Sequence, residues 1–322
     1  MKAIVCRTYG SPNVLRFEET ATPTPTDNQV LIRVRAASVN PYDWHFMRGS
    51  PYIMRMLSWL TRPKNIRVGV DVAGVVETVG SNVTRFKPGD AVFGGCRGAF
   101  AEYACAPDTS IVAKPANVTF EQAATVAIAG YTALQGLRDH GKIQRGHNVL
   151  VNGASGGVGT FAVQIAKSFG ARVTGVCSTH NLDLVRSLGA DRVIDYTRED
   201  FTTGSDRYDI VLDCHASHPL LACARILAPA GSYIIVGAPG RGLMGPLRAA
   251  VKAFALAPFV KRTLTMMMAK PNHDDLALIA DMMKTGAVTP VIDRRYRLDE
   301  VPDAIRYLEQ GHARGKVVIT VA

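Results

Sequence analysis

Asn148-Val149-Leu150-Val151-Asn152-Gly153-Ala154-Ser155-Gly156-Gly157-Val158-Gly159-Thr160-Phe161-Ala162-Val163-Gln164-Ile165-Ala166-Lys167 is the stretch on which the reading of this chain turns. Val149 to Val151 is a short apolar run of the kind found in a buried parallel strand. Gly153 to Gly159 supplies a turn, and Phe161 and Ile165 then recur at helical spacing, so the order is strand, glycine turn, helix. Glycines permit a sharp bend and leave no Cβ between the main-chain amides and a ligand. The helix that follows starts with unpaired N–H groups and a partial positive charge, which suits a pyrophosphate. The spacing Ala154-x-Gly156-x-x-Gly159 is the dinucleotide-binding fingerprint with alanine at the first small position. Ser155, Gly156, Gly157, Val158 and Gly159 are therefore the candidate phosphate-holding residues. A turn that only packs a helix onto a sheet would use similar glycines, but the strand and helix on either side favour binding.

Outward from this unit, helix and strand alternate. Glu121 to Leu137 reads as a helix with Thr119 as its N-cap. Arg172–Cys177 is a second strand, Asn181 to Leu188 a helix stopped by Gly189, and Arg192–Tyr196 a third strand. Asp209–Asp213 and Ser232–Val236 are the fourth and fifth. Such alternation specifies an α/β fold with a doubly wound parallel sheet, binding its ligand at the carboxyl ends of the strands. Residues 1 to 120 carry a different rhythm: short strands such as Leu15–Glu19, Val30–Ala36, Val72–Val79 and Ala91–Phe93, broken by Thr22–Asp27 and Lys87-Pro88-Gly89-Asp90. That density of strands and turns argues for a small β-barrel. Asp274 to Lys284 reads as a further helix with Gly286 beyond its end. Val317–Val321 reads as a closing strand that rejoins the first domain. The expected division is 1–120 with 286–322, and 121–285.

A chain of 322 residues is too long for one small core and suits two domains. Its 47% hydrophobic and 20% charged residues are those of a globular protein and exclude a disordered one. No uninterrupted apolar run reaches the roughly 18 residues of a spanning helix, and the first residues enter strand-like sequence at once without a signal-peptide pattern. Six scattered cysteines without a CxxC pair argue against a disulfide framework or a zinc knuckle, and for a reducing, cytoplasmic location. The net charge of +10 points to acidic partners. Much of the excess lies in 241 to 270, where Arg241, Arg248, Lys252, Lys261, Arg262 and Lys270 interleave with apolar residues and no Asp or Glu occurs.

Ala37-Ser38-Val39-Asn40-Pro41-Tyr42-Asp43, Gly69-Val70-Asp71-Val72-Ala73-Gly74, Lys87-Pro88-Gly89-Asp90, Gly130-Tyr131-Thr132-Ala133-Leu134 and the fingerprint occur in this order. In these motifs the chain resembles the zinc-independent branch of the medium-chain dehydrogenase/reductase superfamily, the quinone oxidoreductase and enoyl reductase-like members. The resemblance spans nearly the whole chain. It implies a GroES-like β-barrel catalytic domain beside a Rossmann domain, with the active site in the cleft between them. In zinc-dependent relatives a Cys stands at the place of Asn40 and a His-Glu pair at Val70-Asp71, so the three ligands of a catalytic zinc are not assembled here and no metal is expected. Without a metal to acidify an alcohol, reduction of an already polarised quinone or α,β-unsaturated carbonyl is the easier chemistry.

The cofactor is read at the end of the second strand. Enzymes that use NAD place an acid about 20 residues beyond the glycine turn. The window Val176-Cys177-Ser178-Thr179-His180-Asn181 holds none, so a 2′-phosphate meets hydroxyls, amides and His180, and NADPH is expected. The resemblance carries Ser178 and Tyr196 to the adenosine phosphate end, with His180 where a lysine or arginine is common. It carries Thr132 to the nicotinamide ribose, Val236 and Gly237 to the nicotinamide amide, and Asn40 to the nicotinamide or substrate. Tyr52 falls beside the tyrosine that some enoyl reductases use as proton donor, since a phenol can donate to an enolate oxygen. Relatives often pair through the last strand of the cofactor domain, here near Thr263 to Met267, which implies a homodimer. A rival reading is an NADPH-binding scaffold that uses the basic 241–270 segment on a membrane surface or on nucleic acid, although no recognised nucleic-acid motif is present.

Overall fold

The computed structural model describes residues 1–50, 63, 66–236 and 263–321. Tyr52, Gly237 and most of the basic segment, 241–262, lie outside the described residues. The chain forms two compact units, Met1–Tyr131 with Pro271–Gly286 and Pro290–Ala322, and Thr132–Lys270 with Ala287–Thr289.

The first unit is built on β1 (Lys2–Cys6), β2 (Leu15–Glu19), β3 (Gln29–Val39), β4 (Asp71–Val79), β5 (Ala91–Gly95), β6 (Tyr103–Pro107) and β7 (Ile111–Ala113). Late in the chain it gains β14 (Ile292–Arg297) and β15 (Lys316–Thr320). The order β14-β15-β3-β4-β5-β7, with β6 also on β3, is a seven-stranded sheet, and β1 and β2 pair with each other. β3 alternates buried Val30, Ile32 and Val34 with more exposed Arg33 and Arg35, the pattern of a strand with one face inward. One apolar cluster joins Ile4, Ile32, Val72, Phe100, Val317 and Ile319, so the closing strand completes this core as expected. Val317 pairs with Val39 in antiparallel register.

The second unit is a parallel sheet of β8 (Asn148–Asn152), β9 (Arg172–Cys177), β10 (Arg192–Asp195), β11 (Tyr208–Asp213), β12 (Leu227–Val236) and β13 (Thr263–Met267). Its order is β10-β9-β8-β11-β12-β13. The chain therefore lays down strands in one direction from β8, then returns and lays down the rest in the other. This is the doubly wound order, and its ligand crevice opens at the carboxyl ends of β8 and β11 where the direction reverses. Val149, Leu150 and Val151 are fully buried, as a central parallel strand covered on both faces requires. At the reversal Asn152 and Asp213 stand in register, and the Asn152 amide donates to Asp213 Oδ1 at 2.8 Å. Asp213 also accepts from the N–H groups of His215 and Ala216 and from the Tyr233 hydroxyl, so a fully buried carboxylate is well satisfied.

Two expectations change. The helix expected over Glu121–Leu137 is three pieces: Phe120–Ala123, Ala127–Gln135 and a wider turn over Gly136–His140. Thr119 does cap the first piece, accepting from the Gln122 N–H at 3.1 Å. The break follows because the Ile128 N–H bonds to Asp71 Oδ1 at 3.1 Å instead of continuing a helical ladder, and the Thr125 hydroxyl turns back to the Gln122 carbonyl. The units also divide at Tyr131, and the helix His273–Lys284 belongs with the first unit instead of the 121–285 domain. Its Leu276 and Ile279 are fully buried and approach Gly94 and Gly130 so closely that a Cβ there would lie 3.0 and 2.9 Å away. Among the described residues no helix is long and apolar enough to cross a membrane.

The glycine turn holds a close backbone approach. A Cβ on Gly159 would lie 2.1 Å from the Gly153 carbonyl oxygen and 2.7 Å from Ala154 Cα. Both are backbone atoms with no rotamer in which to retreat. Gly159→Ala is therefore expected to destabilise the protein by about 1–3 kcal/mol, read as a lowered midpoint of thermal unfolding. An unchanged midpoint would contradict this packing.

Candidate functional site

The glycine turn is tied down on one side and open on the other. Gly153 adopts φ +81°, a left-handed conformation that glycine takes without strain. The N–H groups of Gly153 and Ala154 both donate to the Val176 carbonyl, at 3.1 and 2.9 Å, which fastens the turn to β9. Helix Gly157–Ser168 starts from Gly156 with no side-chain cap and no acid in its first turn. A twelve-residue helix with a bare N-terminus offers main-chain donors and positive potential to an anion.

The end of β9 lies against this turn. Ser178 precedes a short helical turn, Thr179–Asn181, without capping it through its side chain. The Asn181 amide donates to Ser155 Oγ and to Ser178 Oγ, each at 3.1 Å, and so brings the two sequence-predicted serines together. Beside them the Thr179 hydroxyl donates to Asp195 Oδ2 at 2.6 Å, and Thr197 donates its N–H and its hydroxyl to Oδ1 at 3.0 and 2.7 Å. These donors, Thr179 first, hold the Asp195 carboxyl below the usual carboxylate range. Arg198 Nε stands 3.6 Å from Asp195 Oδ2. His180 is exposed, and Tyr196 keeps 56% of its surface exposed at the end of β10. Val236 is the last residue of β12, and Thr132 is buried in the helix Ala127–Gln135.

The first unit holds a separate polar cluster on the facing ends of β3, β4 and β15. Asp71 Oδ2 accepts from the Ser38 hydroxyl and from the Asn40 amide, both at 2.9 Å. Lys316 Nζ donates to Asn40 Oδ1 at 2.5 Å and lies 3.4 Å from Asp71 Oδ2. The Asn40 main-chain N–H donates to Asp43 Oδ2 at 2.7 Å in a capping box at the start of helix Pro41–Arg48. Asp71, Asp43, Asn40 and Lys316 are all buried. Burial pushes the Asp43 carboxyl up to about 8, with the neighbouring Asp71 charge adding to the rise and Lys316 and the Asn40 N–H opposing it. Burial likewise pulls the Lys316 ammonium below the ordinary lysine range, against the attraction of Asp71 and Asp43. Asn40 thus spends its amide inside the barrel: the oxygen on Lys316, the nitrogen on Asp71 and the Ser38 carbonyl.

Comparison with known proteins agrees with this architecture. Residues 26–116 match the alcohol dehydrogenase GroES-like domain, and residues 188–319 match the family described as zinc-binding dehydrogenase. The chain is 33% identical to the chloroplast envelope quinone oxidoreductase homolog of Arabidopsis thaliana, over 99% of this chain and 98% of that protein. It is 35% identical to the 2-methylene-furan-3-one reductase of Solanum lycopersicum, over 99% of this chain and 79% of that protein. The quinone oxidoreductase of Coxiella burnetii superposes with a TM-score of 0.87 at 31% identity, covering 100% of this chain and 99% of that one. The chain belongs to the medium-chain dehydrogenase/reductase superfamily, in its quinone oxidoreductase and enoyl reductase-like branch.

As a member of that superfamily it is an oxidoreductase, and the fold alone does not choose its cofactor. An NAD-dependent alcohol dehydrogenase superposes with a TM-score of 0.86 at 28% identity, covering 100% of both chains. A mycobacterial protein complexed with NADPH does so with 0.81 at 27% identity, covering 99% of this chain and 100% of that one. The glycine turn and bare helix end fit a dinucleotide's pyrophosphate. The cluster around Asn40 does not fit zinc, since it presents an amide, an ammonium and a carboxylate already engaged by Ser38, Asn40 and Ile128. Among the described residues no three His, Cys, Asp or Glu side chains stand together to hold a metal.

Sequence reasoning missed Asn181, Asp195 and Lys316. Asn181 closes the Val176–Asn181 window at the expected start of a helix, and Asp195 lies beyond that window in the third strand. Lys316 had one signal, a lysine leading directly into the apolar run Val317-Val318-Ile319.

The buried cluster makes a pH-dependent prediction. Folded Asp43 holds its proton up to about pH 8, whereas an unfolded aspartate releases it near pH 4. Between these values the folded state binds the extra proton, so stability falls as pH rises, by up to about 1.4 kcal/mol per pH unit. Asp43→Asn keeps an acceptor for the Asn40 N–H and removes the ionisation. Thermal unfolding followed from about pH 5 to pH 8 is expected to fall in the parent and stay flatter in the variant. Parallel curves would show that the proton is not held there.

Proposed function

We propose that this protein is a zinc-free, NADPH-dependent reductase of quinones and α,β-unsaturated carbonyls. The observation that carries the reading is Lys316 Nζ at 2.5 Å from Asn40 Oδ1, a fixed cation seated among the residues that correspond to the catalytic metal ligands of zinc-dependent relatives. An ammonium in that position repels a second cation and needs none. With no Lewis acid to activate an alcohol, acceptors that are already electron-poor are favoured. The names of the relatives point the same way: quinone oxidoreductases, and a reductase whose named compound sets a methylene beside a ring ketone.

When bound, NADPH supplies the hydride. The chain's own part is to hold and orient. The Gly157–Gly159 amides at the helix end take the pyrophosphate, together with Ser155 and Gly156. Ser178, His180 and Tyr196 take the adenosine 2′-phosphate, and the neighbouring Asp195 carboxylate is engaged by Thr179, Thr197 and, at 3.6 Å, Arg198. Thr132 serves the nicotinamide ribose, and Val236 and Gly237 its amide. Asn40 acts from inside the barrel, shaping the wall of the reaction site through the Lys316 and Asp71 bonds, and Tyr52 protonates the reduced product. All six cysteines are free, in keeping with a reducing cytoplasmic location. Two copies pair through β13, an edge strand whose Met266 is 41% exposed and is followed by Met268 at 79%.

Oxidation of NADPH and NADH followed by absorbance with a panel of quinones, enones and alcohols tests the proposal. NADPH is expected to give a kcat/KM at least about tenfold above NADH, with quinones or enones turned over and alcohols inert. A zinc chelator should leave the rate unchanged. Equal use of NADH, or activity lost on chelation and restored by zinc, would overturn it.

A further inference from the structure

Asn181 is the residue that joins the two serines. Its carboxamide nitrogen gives both hydrogens away, one to Ser155 Oγ and one to Ser178 Oγ, each at 3.1 Å. Its Oδ1 is buried without a partner among the described residues. A hydroxyl that accepts through its oxygen still has its own proton to give. Neither serine hydroxyl donates to another group among the described residues, and Ser178 does not cap its own turn. The adjacent hydroxyls behave in the opposite way. Thr179 and Thr197 both point their protons at Asp195 and have none to offer a phosphate.

We propose that Asn181 is a positioning residue that selects the phosphorylated cofactor. By donating to both serines it presents two hydroxyl protons outward, that of Ser155 toward the pyrophosphate and that of Ser178 toward the 2′-phosphate. Its orphaned Oδ1 is the acceptor left for the 3′-hydroxyl of the intervening ribose. This inference rests on the NADPH reading above and names the side chain that enforces it. The amide nitrogen is essential to the argument. An aspartate at 181 would accept from both serines, draw both protons inward and add a negative charge beside the phosphate.

The test compares the parent, Asn181→Asp and Asn181→Ala by fluorescence titration with NADPH and with NADH, alongside thermal unfolding. Asn181→Asp is expected to weaken NADPH by about 100-fold and to change NADH by less than about threefold, because a carboxylate accepting from the free 2′-hydroxyl offsets the loss of the Ser155 donor to the shared pyrophosphate. Asn181→Ala, which frees the serines without reversing them, is expected to weaken NADPH by about tenfold. A positioning role makes one further demand: Ser178→Ala should weaken NADPH about tenfold in the parent and less than about twofold in the Asn181→Asp background. Retention of the parental NADPH preference in Asn181→Asp would overturn this inference while leaving the NADPH reading intact. Equal losses for both cofactors in Asn181→Ala with a lowered unfolding midpoint would also overturn it, since that is the signature of a purely structural residue. A parent that shows no preference for NADPH would remove the reading on which it rests.

Discussion

A carboxylate taken out of water must be surrounded by donors, and each unit of this protein is arranged around one such group. Isolated in an apolar interior, an ionised carboxyl would be prohibitively unfavourable. Asp213 meets the demand with Asn152, two main-chain N–H groups and Tyr233, which together pin the ends of β8 and β11. Asp71 meets it with Ser38, Asn40, the Ile128 N–H and Lys316, which bind β3, β4, β15 and the start of a helix to one point. In both cases a residue far away in sequence is held where a strand ends, and strand ends are where this fold places its chemistry.

The same principle separates the two polar networks of the second unit. Asp195 consumes the protons of its neighbouring hydroxyls and stays ionised, with Arg198 Nε 3.6 Å from its Oδ2. Asn181 does the reverse, feeding hydrogens to hydroxyls that keep their own. The carboxyl end of the sheet therefore presents donors where the backbone turn also presents them, and the bare end of helix Gly157–Ser168 adds its potential to both. In the first unit the charge is of opposite use: the Lys316 ammonium faces Asp71 at 3.4 Å in an interior that no solvent screens, and that attraction opposes the pull of burial on its proton.

Much of this was legible in advance. Glycine spacing after an apolar run has few structural solutions, so the turn, its strand and its helix follow from local chemistry. The five strands from β8 to β12, the cap at Thr119 and the return of the closing strand to the first core are likewise consequences of periodicity and turn residues. The splitting of helix 121–137 was not legible, because it depends on a carboxylate from β4 capturing the Ile128 N–H. Nor was the attachment of helix His273–Lys284 to the first unit, which depends on how closely Leu276 and Ile279 can approach two glycines.

What the sequence alone determined is the type of each element and the class of ligand the glycine turn can accept, since both rest on residues adjacent in the chain. Only the tertiary structure decided which way the protons point. Asn181 reaches Ser155 across 26 positions and Lys316 reaches Asn40 across 276, and a hydrogen bond's direction is settled by the partners that folding brings within 3.1 Å, not by the order in which they are strung.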